Sequence, residues 1–282
     1  MKTIHYLLIT ALLTGAYQLS LAQNVEGLIQ DEATGEGLAY VNIGVIGKDV
    51  GTVSDRQGRF RLAVDDQYNQ DTLKISMVGY QPRSFTVADF RERLKGDPTV
   101  ALTEAVATLK EVVVEDKRYR GRKLKERIIG NTKAVTSNRT YFAFNALGNE
   151  MGIYINVKRN PTFVQEFNLY ITENKYDVFK FRLNFYSVKN GLPDENLLDQ
   201  NIIASFTERE GQLTVDLREY NIVLEGDVII TMEWIEELGK HGLAFATSSG
   251  WGEKHRAIVR HTSQGDWKRG GPGIGITLKV LQ

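Results

Sequence analysis

Val178-Phe179-Lys180-Phe181-Arg182-Leu183-Asn184-Phe185-Tyr186 alternates apolar and polar side chains along its length. Successive side chains of a strand point to opposite faces, so Phe179, Phe181, Leu183 and Phe185 share one side and Lys180, Arg182 and Asn184 the other. Outward from it, β-type runs are expected at 141–144, 152–157, 162–171, 202–206, 213–216, 228–234, 243–247, 257–260 and 274–280. So many short strands in about 140 residues predict a jelly-roll-like β-sandwich over 139–282, an architecture common in carbohydrate-binding and capsid-type domains. Architecture of this kind says little about function.

A second set of runs precedes it, at 25–29, 39–46, 51–53, 59–64, 72–77 and 83–87, with the spacing of a small sandwich. In Phe60-Arg61-Leu62-Ala63-Val64 the residues Phe60, Leu62 and Val64 are expected to face inward. Asp55-Arg56-Gln57-Gly58 reads as a tight turn, because aspartate bonds the backbone two residues on and glycine accepts the positive φ that closes it. It lacks the carboxylates that a calcium loop needs.

Ala39-Tyr40-Val41-Asn42-Ile43, then Gly51-Thr52-Val53-Ser54-Asp55 with Gly58-x-Phe60-x-Leu62, then Leu73-x-Ile75-Ser76 with Gly79-Tyr80, resemble the carboxypeptidase-regulatory-like family in order and spacing. Leu109-x-Glu111-Val112-Val113-Val114 resembles the segment that follows it. The resemblance covers about 24–102. It implies a transthyretin-like β-sandwich of seven or so strands without catalytic function, a region shared with SusC-type TonB-dependent receptors and smaller exported proteins of Bacteroidota. This chain leaves no room for the barrel of those receptors, so transport by it alone is not expected.

Lys2, the apolar 4–13 stretch and Ser20-Leu21-Ala22 read as a cleavable signal peptide, too short to span a membrane. The expected organisation is therefore a signal peptide at 1–22, a carboxypeptidase-regulatory-like sandwich at 23–104, a connector at 105–138 and the larger sandwich at 139–282. Cysteine is absent, which excludes disulfides, thiolate metal sites and lipoprotein-type attachment. Localisation in the periplasm or outside the cell follows as the expectation. The 35 basic and 35 acidic side chains balance, so bulk charge selects no partner.

The connector is the locally unbalanced segment, with seven basic residues among the eleven from 117 to 127. Arg118, Arg120, Arg122 and Lys123 are candidates for contact with an anionic membrane surface, at about 1 kcal/mol each; a solvated linker is the simpler reading. Residues 124–135 are helix-compatible, with Leu124, Ile128 and Val135 able to share a face. Nucleic-acid binding is not expected, because the patch lacks interleaved aromatics.

Candidate chemistry is sparse. His241, His255 and His261 match no recognised metal-ligand spacing, and Ser248 and Ser249 lack the strand-to-helix elbow of a nucleophilic serine. Glu233, Glu236 and Glu237 around Trp234 read as the exposed side of a strand end, with a glycosidase-type carboxylate pair as the rival. Gly270 to Gly275 runs into a strand, so it reads as a hairpin and not a phosphate loop. Trp251 and Trp267, with Lys254, His255, Arg256 and Arg269 nearby, form the candidate ligand-binding set, against core packing of both rings. No cofactor is expected. The sequence thus points to a non-catalytic exported envelope protein that binds a glycan or protein partner or supports an outer-membrane assembly; the alternative is a hydrolase of polysaccharide or peptide with carboxylates in the second domain.

Overall fold

The computed structural model describes residues 23–105, 124–142, 146–239, 242–248, 250 and 255–282. The chain is all-β, built as two pairs of sheets. In the first pair, β1 (Gln23–Asp31), β4 (Arg59–Val64) and β7 (Thr99–Leu102) form a sheet in the order β4-β1-β7. Facing it, β2 (Asn42–Val45), β3 (Gly51–Val53), β5 (Thr72–Ser76) and β6 (Arg83–Thr86) run in the order β3-β2-β5-β6. Ile29, Ile43, Leu62, Leu73 and Val100 pack between them. β4 alternates exposed and buried residues as its periodicity predicts, with Phe60, Leu62 and Val64 inside. The Asp55 turn forms as expected: Asp55 Oδ1 accepts from Gln57 N and Arg59 N, and Gly58 takes φ +81°.

One helix was not anticipated. α1 (Val87–Gly96) begins where Thr86 Oγ1 accepts from Asp89 N, and it buries Val87 and Phe90. Phe90 stacks on Phe60 with ring centroids 6.0 Å apart, closing one end of the core. Reading Val87 as the end of a strand hid the signal, a capping threonine followed by apolar residues three and four apart.

The second pair is larger. One sheet runs β13 (Leu192–Asn196), β12 (Phe179–Lys189), β17 (Val228–Trp234), β10 (Glu150–Ile155), β19 (Arg256–Arg260), β20 (Lys268–Pro272), with β14 (Ile202–Phe206) also on β12. The other runs β8 (Glu126–Gly130), β21 (Ile276–Leu281), β11 (Thr162–Asn174), β18 (Leu243–Ser248), β9 (Ala134–Tyr141), with β15 (Gly211–Asp216) and β16 (Val223–Leu224) also on β11. Phe179, Phe181, Leu183 and Phe185 meet Phe167, Leu169 and Leu278 in one apolar core between these sheets.

The expected helix over 124–135 is corrected: these residues enter strands β8 and β9, which pair with β21 and β18. Adjacent β-branched Ile128 and Ile129 and a Gly130 at φ +105° suit an edge strand, and Ile128 is 63% exposed where a helix would have buried it. The candidates Arg118, Arg120, Arg122 and Lys123, and the signal peptide, lie outside the described residues.

Candidate functional site

Lys180, Arg182 and Asn184 share the polar face of β12 as the alternation predicts, but that face is closed to water at the last two. Arg182 is 1% and Asn184 2% exposed, because the first sheet pair covers that face of β12. Arg182 Nη2 donates to Tyr40 O at 2.8 Å, and Ser263, in the loop after β19, donates through Oγ to Asn42 Oδ1 at 2.9 Å. The opposed glycines Gly44 and Gly51 admit that loop: a Cβ on either would lie 2.1 or 2.4 Å from Ser263 O.

Register aligns charges across four neighbouring strands. Arg182 stands opposite Glu233, Glu233 opposite Glu150, and Glu150 opposite Arg260. Arg182 Nε lies 2.9 Å from Glu233 Oε2, and Arg260 Nη2 pairs with Glu150 Oε2. Two carboxylates side by side would repel, but each has an arginine outside it and Asn184 between them, donating from Nδ2 to Glu150 Oε1 (2.7 Å) and Glu233 Oε2 (3.1 Å). Thr231 Oγ1 and the Tyr186 hydroxyl also donate to Glu150, at 2.5 and 3.0 Å. Glu233 therefore departs from the expected exposed strand end: it is wholly buried.

This environment sets protonation. Burial pushes the Glu150 carboxyl up; Arg260 pulls against that and Glu233 adds to it. Burial likewise holds the Tyr186 phenol well above its ordinary value, with Glu150 contributing. For Arg260 burial works the other way, yet Glu150, Tyr186 and Glu233 outweigh it and keep the guanidinium charged.

Above the row lies a cleft of about 640 Å³ between the two sheet pairs. Its C-terminal side presents Arg182, Asn184, Tyr186, Arg260 and Trp267; its N-terminal side includes Asn42, Lys74, Ser76 and residues 77–80. Neither Glu150 nor Glu233 lines it. Trp267 is half-buried, edge-on to Tyr186 at 5.5 Å, with the Arg260 guanidinium 4.7 Å from its ring centre. A second contact joins the halves at Glu236, whose Oε1 accepts from Tyr40 OH (2.6 Å), Arg56 Nε (2.8 Å) and Lys180 Nζ (3.2 Å). Burial works against the charge on Glu236, but these hydrogen bonds prevail and hold its carboxyl below the ordinary value.

The sequence-derived set is thus separated. Trp267 reaches the cleft, whereas His255 and Arg256 are exposed at the other end of the β19–β20 hairpin, where Arg256 opposes Pro272. Arg256 Nε donates to Gly270 O at 2.9 Å. Trp251 and Lys254 lie outside the described residues. His261 Nδ1 sits 3.5 Å from Asp49, and among the described residues no group of three metal-ligating side chains converges. The residues missed were Arg182, Asn184, Glu150 and Arg260; polar side chains alternating through a strand as apolar as β12 were the available signal.

Residues 25–114 match the family model described as the CarboxypepD_reg-like domain. This chain carries a carboxypeptidase-regulatory-like domain. A stretch of 82 residues is 34% identical to the TonB-dependent receptor SusC of Bacteroides thetaiotaomicron, covering 29% of this chain and 8% of the receptor. The chain therefore spans under a tenth of the curated relative it matches. Among solved structures, one of the infectious bursal disease virus Gx strain aligns over 93% of this chain and 64% of its own at 7% identity, with a TM-score of 0.25, too slight to bear on fold or function. No helix among the described residues is long and apolar enough to cross a membrane.

Proposed function

We propose that this is an exported cell-envelope protein that binds its ligand in the cleft between its two sheet pairs, with the carboxypeptidase-regulatory-like domain forming one wall. The observation that carries the reading is the cleft floor: Arg182, Asn184, Tyr186 and Arg260 are buried and held by the two carboxylates beneath, yet line open space. Such side chains present hydrogen-bonding groups without being ordered at the moment of binding. The envelope setting is supported by the likeness of the N-terminal domain to part of a TonB-dependent receptor.

Binding is favoured over hydrolysis because Glu150 and Glu233 are close but each faces an arginine, and neither touches the cleft where a substrate would sit. The test is calorimetry of the full mature chain against envelope glycans and peptides. A ligand is expected whose affinity falls about tenfold in Trp267→Ala, the scale of one lost aromatic contact. Binding indifferent to Trp267, or ligand cleavage abolished by Glu150→Gln, would overturn the proposal.

A further inference from the structure

The ligand class follows from which polar atoms of the cleft are already committed. Each guanidinium is paired with a carboxylate beneath the floor, and Arg182 also donates from Nη2 to Tyr40 O. Asn42 Oδ1 accepts from Ser263 Oγ, which leaves its Nδ2 as donor. Asn196 Nδ2 uses one hydrogen on Asn184 Oδ1 and keeps the other. Gln264 Nε2 donates to Ser76 Oγ at 2.9 Å, leaving Oε1 as acceptor, and the Tyr186 hydroxyl, donating to Glu150, offers only its oxygen lone pairs. The cleft thus presents both donors and acceptors, and a hydroxyl, which is both at once, can pair with either. Trp267 adds aromatic surface suited to the C–H face of a sugar ring.

Charge narrows the class. The charged residues lining the cleft are Lys74, Arg182 and Arg260 against Asp194 and Asp266, and Glu150 and Glu233 lie directly below. Lys189 pairs with Asp194 at 3.8 Å, so with both glutamates ionised the charges cancel and an anionic ligand meets no net attraction.

We infer, building on the cleft-binding reading above, that the ligand is an uncharged, hydroxyl-rich glycan and that acidic glycans are discriminated against. The experiment is calorimetry of the full mature chain at low salt with neutral hexasaccharides of glucose, mannose and xylose beside a hexagalacturonate. A neutral hexasaccharide is expected to bind about tenfold or more tighter than the acidic one, and to lose about tenfold in either Asn196→Ala or Trp267→Ala. Replacing both exposed acids, Asp194→Asn with Asp266→Asn, should narrow the gap by several-fold, as expected from removing like charge near the ligand. Tighter binding of the hexagalacturonate with the same dependence on Trp267 would overturn this inference and leave the cleft as the site. No binding by any saccharide overturns the inference whatever a broader screen returns. Saccharide binding indifferent to both Asn196→Ala and Trp267→Ala overturns the cleft reading itself.

Discussion

The two faces of β12 are both closed to water, by opposite physics. On one side Phe179, Phe181, Leu183 and Phe185 join an apolar core; on the other Arg182 and Asn184 enter a row of paired charges under the N-terminal sheets. The apolar face contributes stability by removing hydrocarbon from water, in proportion to area. The charged face gains little net free energy, since desolvation offsets the ion pairing, and its consequence is geometric: it holds polar groups in place beneath a cleft. On the proposed reading, stability and binding fall to different sides of one strand.

The sharpest way to break that comparison is Phe181→Ala, expected to cost about 4 kcal/mol in urea denaturation through lost transfer energy and the cavity left behind. Next, Glu233→Ala strands Arg182 without its counter-ion and should cost about 3 kcal/mol, while Arg182→Met with Glu233→Leu should return to within about 1 kcal/mol of wild type. If the double variant were as unstable as the single, the charged face would be a source of stability after all. Alkaline titration gives a smaller effect. Burial, with Glu236 adding, pushes the Tyr40 phenol from 10.0 up to about 12. The unfolded chain therefore releases this proton first, so stability present below pH 10 should fall as pH rises towards about 12, and Tyr40→Phe should flatten that limb. Tyr80, also raised to about 12 by burial and Asp31, leaves a remainder. Least of all, Ile128→Thr on the exposed edge strand should change stability by no more than about 0.5 kcal/mol.

Strand positions were legible wherever one face is apolar: β3, β4, β14 and β17 occupy the runs read from alternation and β-propensity. Short polar strands were not. β13 (Leu192–Asn196) and β20 (Lys268–Pro272) carry little apolar pattern and exist because a neighbouring strand offers its backbone. β8 reversed its expectation for the same reason, since β21 needed a partner. Of the site, Trp267 was named from sequence and Glu233 was noticed but placed in solvent. Glu150 and Arg260 are far from it in the chain and close only through register.

By itself the sequence determined that this protein is β-built, that its N-terminal third is a carboxypeptidase-regulatory-like domain, and which side of β12 holds the hydrophobic core, because these rest on local periodicity and short ordered motifs. Only the tertiary structure decided the fate of the other side. Alternation separates two faces of a strand, but whether a polar face meets water or another sheet depends on residues such as Tyr40 and Ser263, brought against Arg182 and Asn42 from distant parts of the chain.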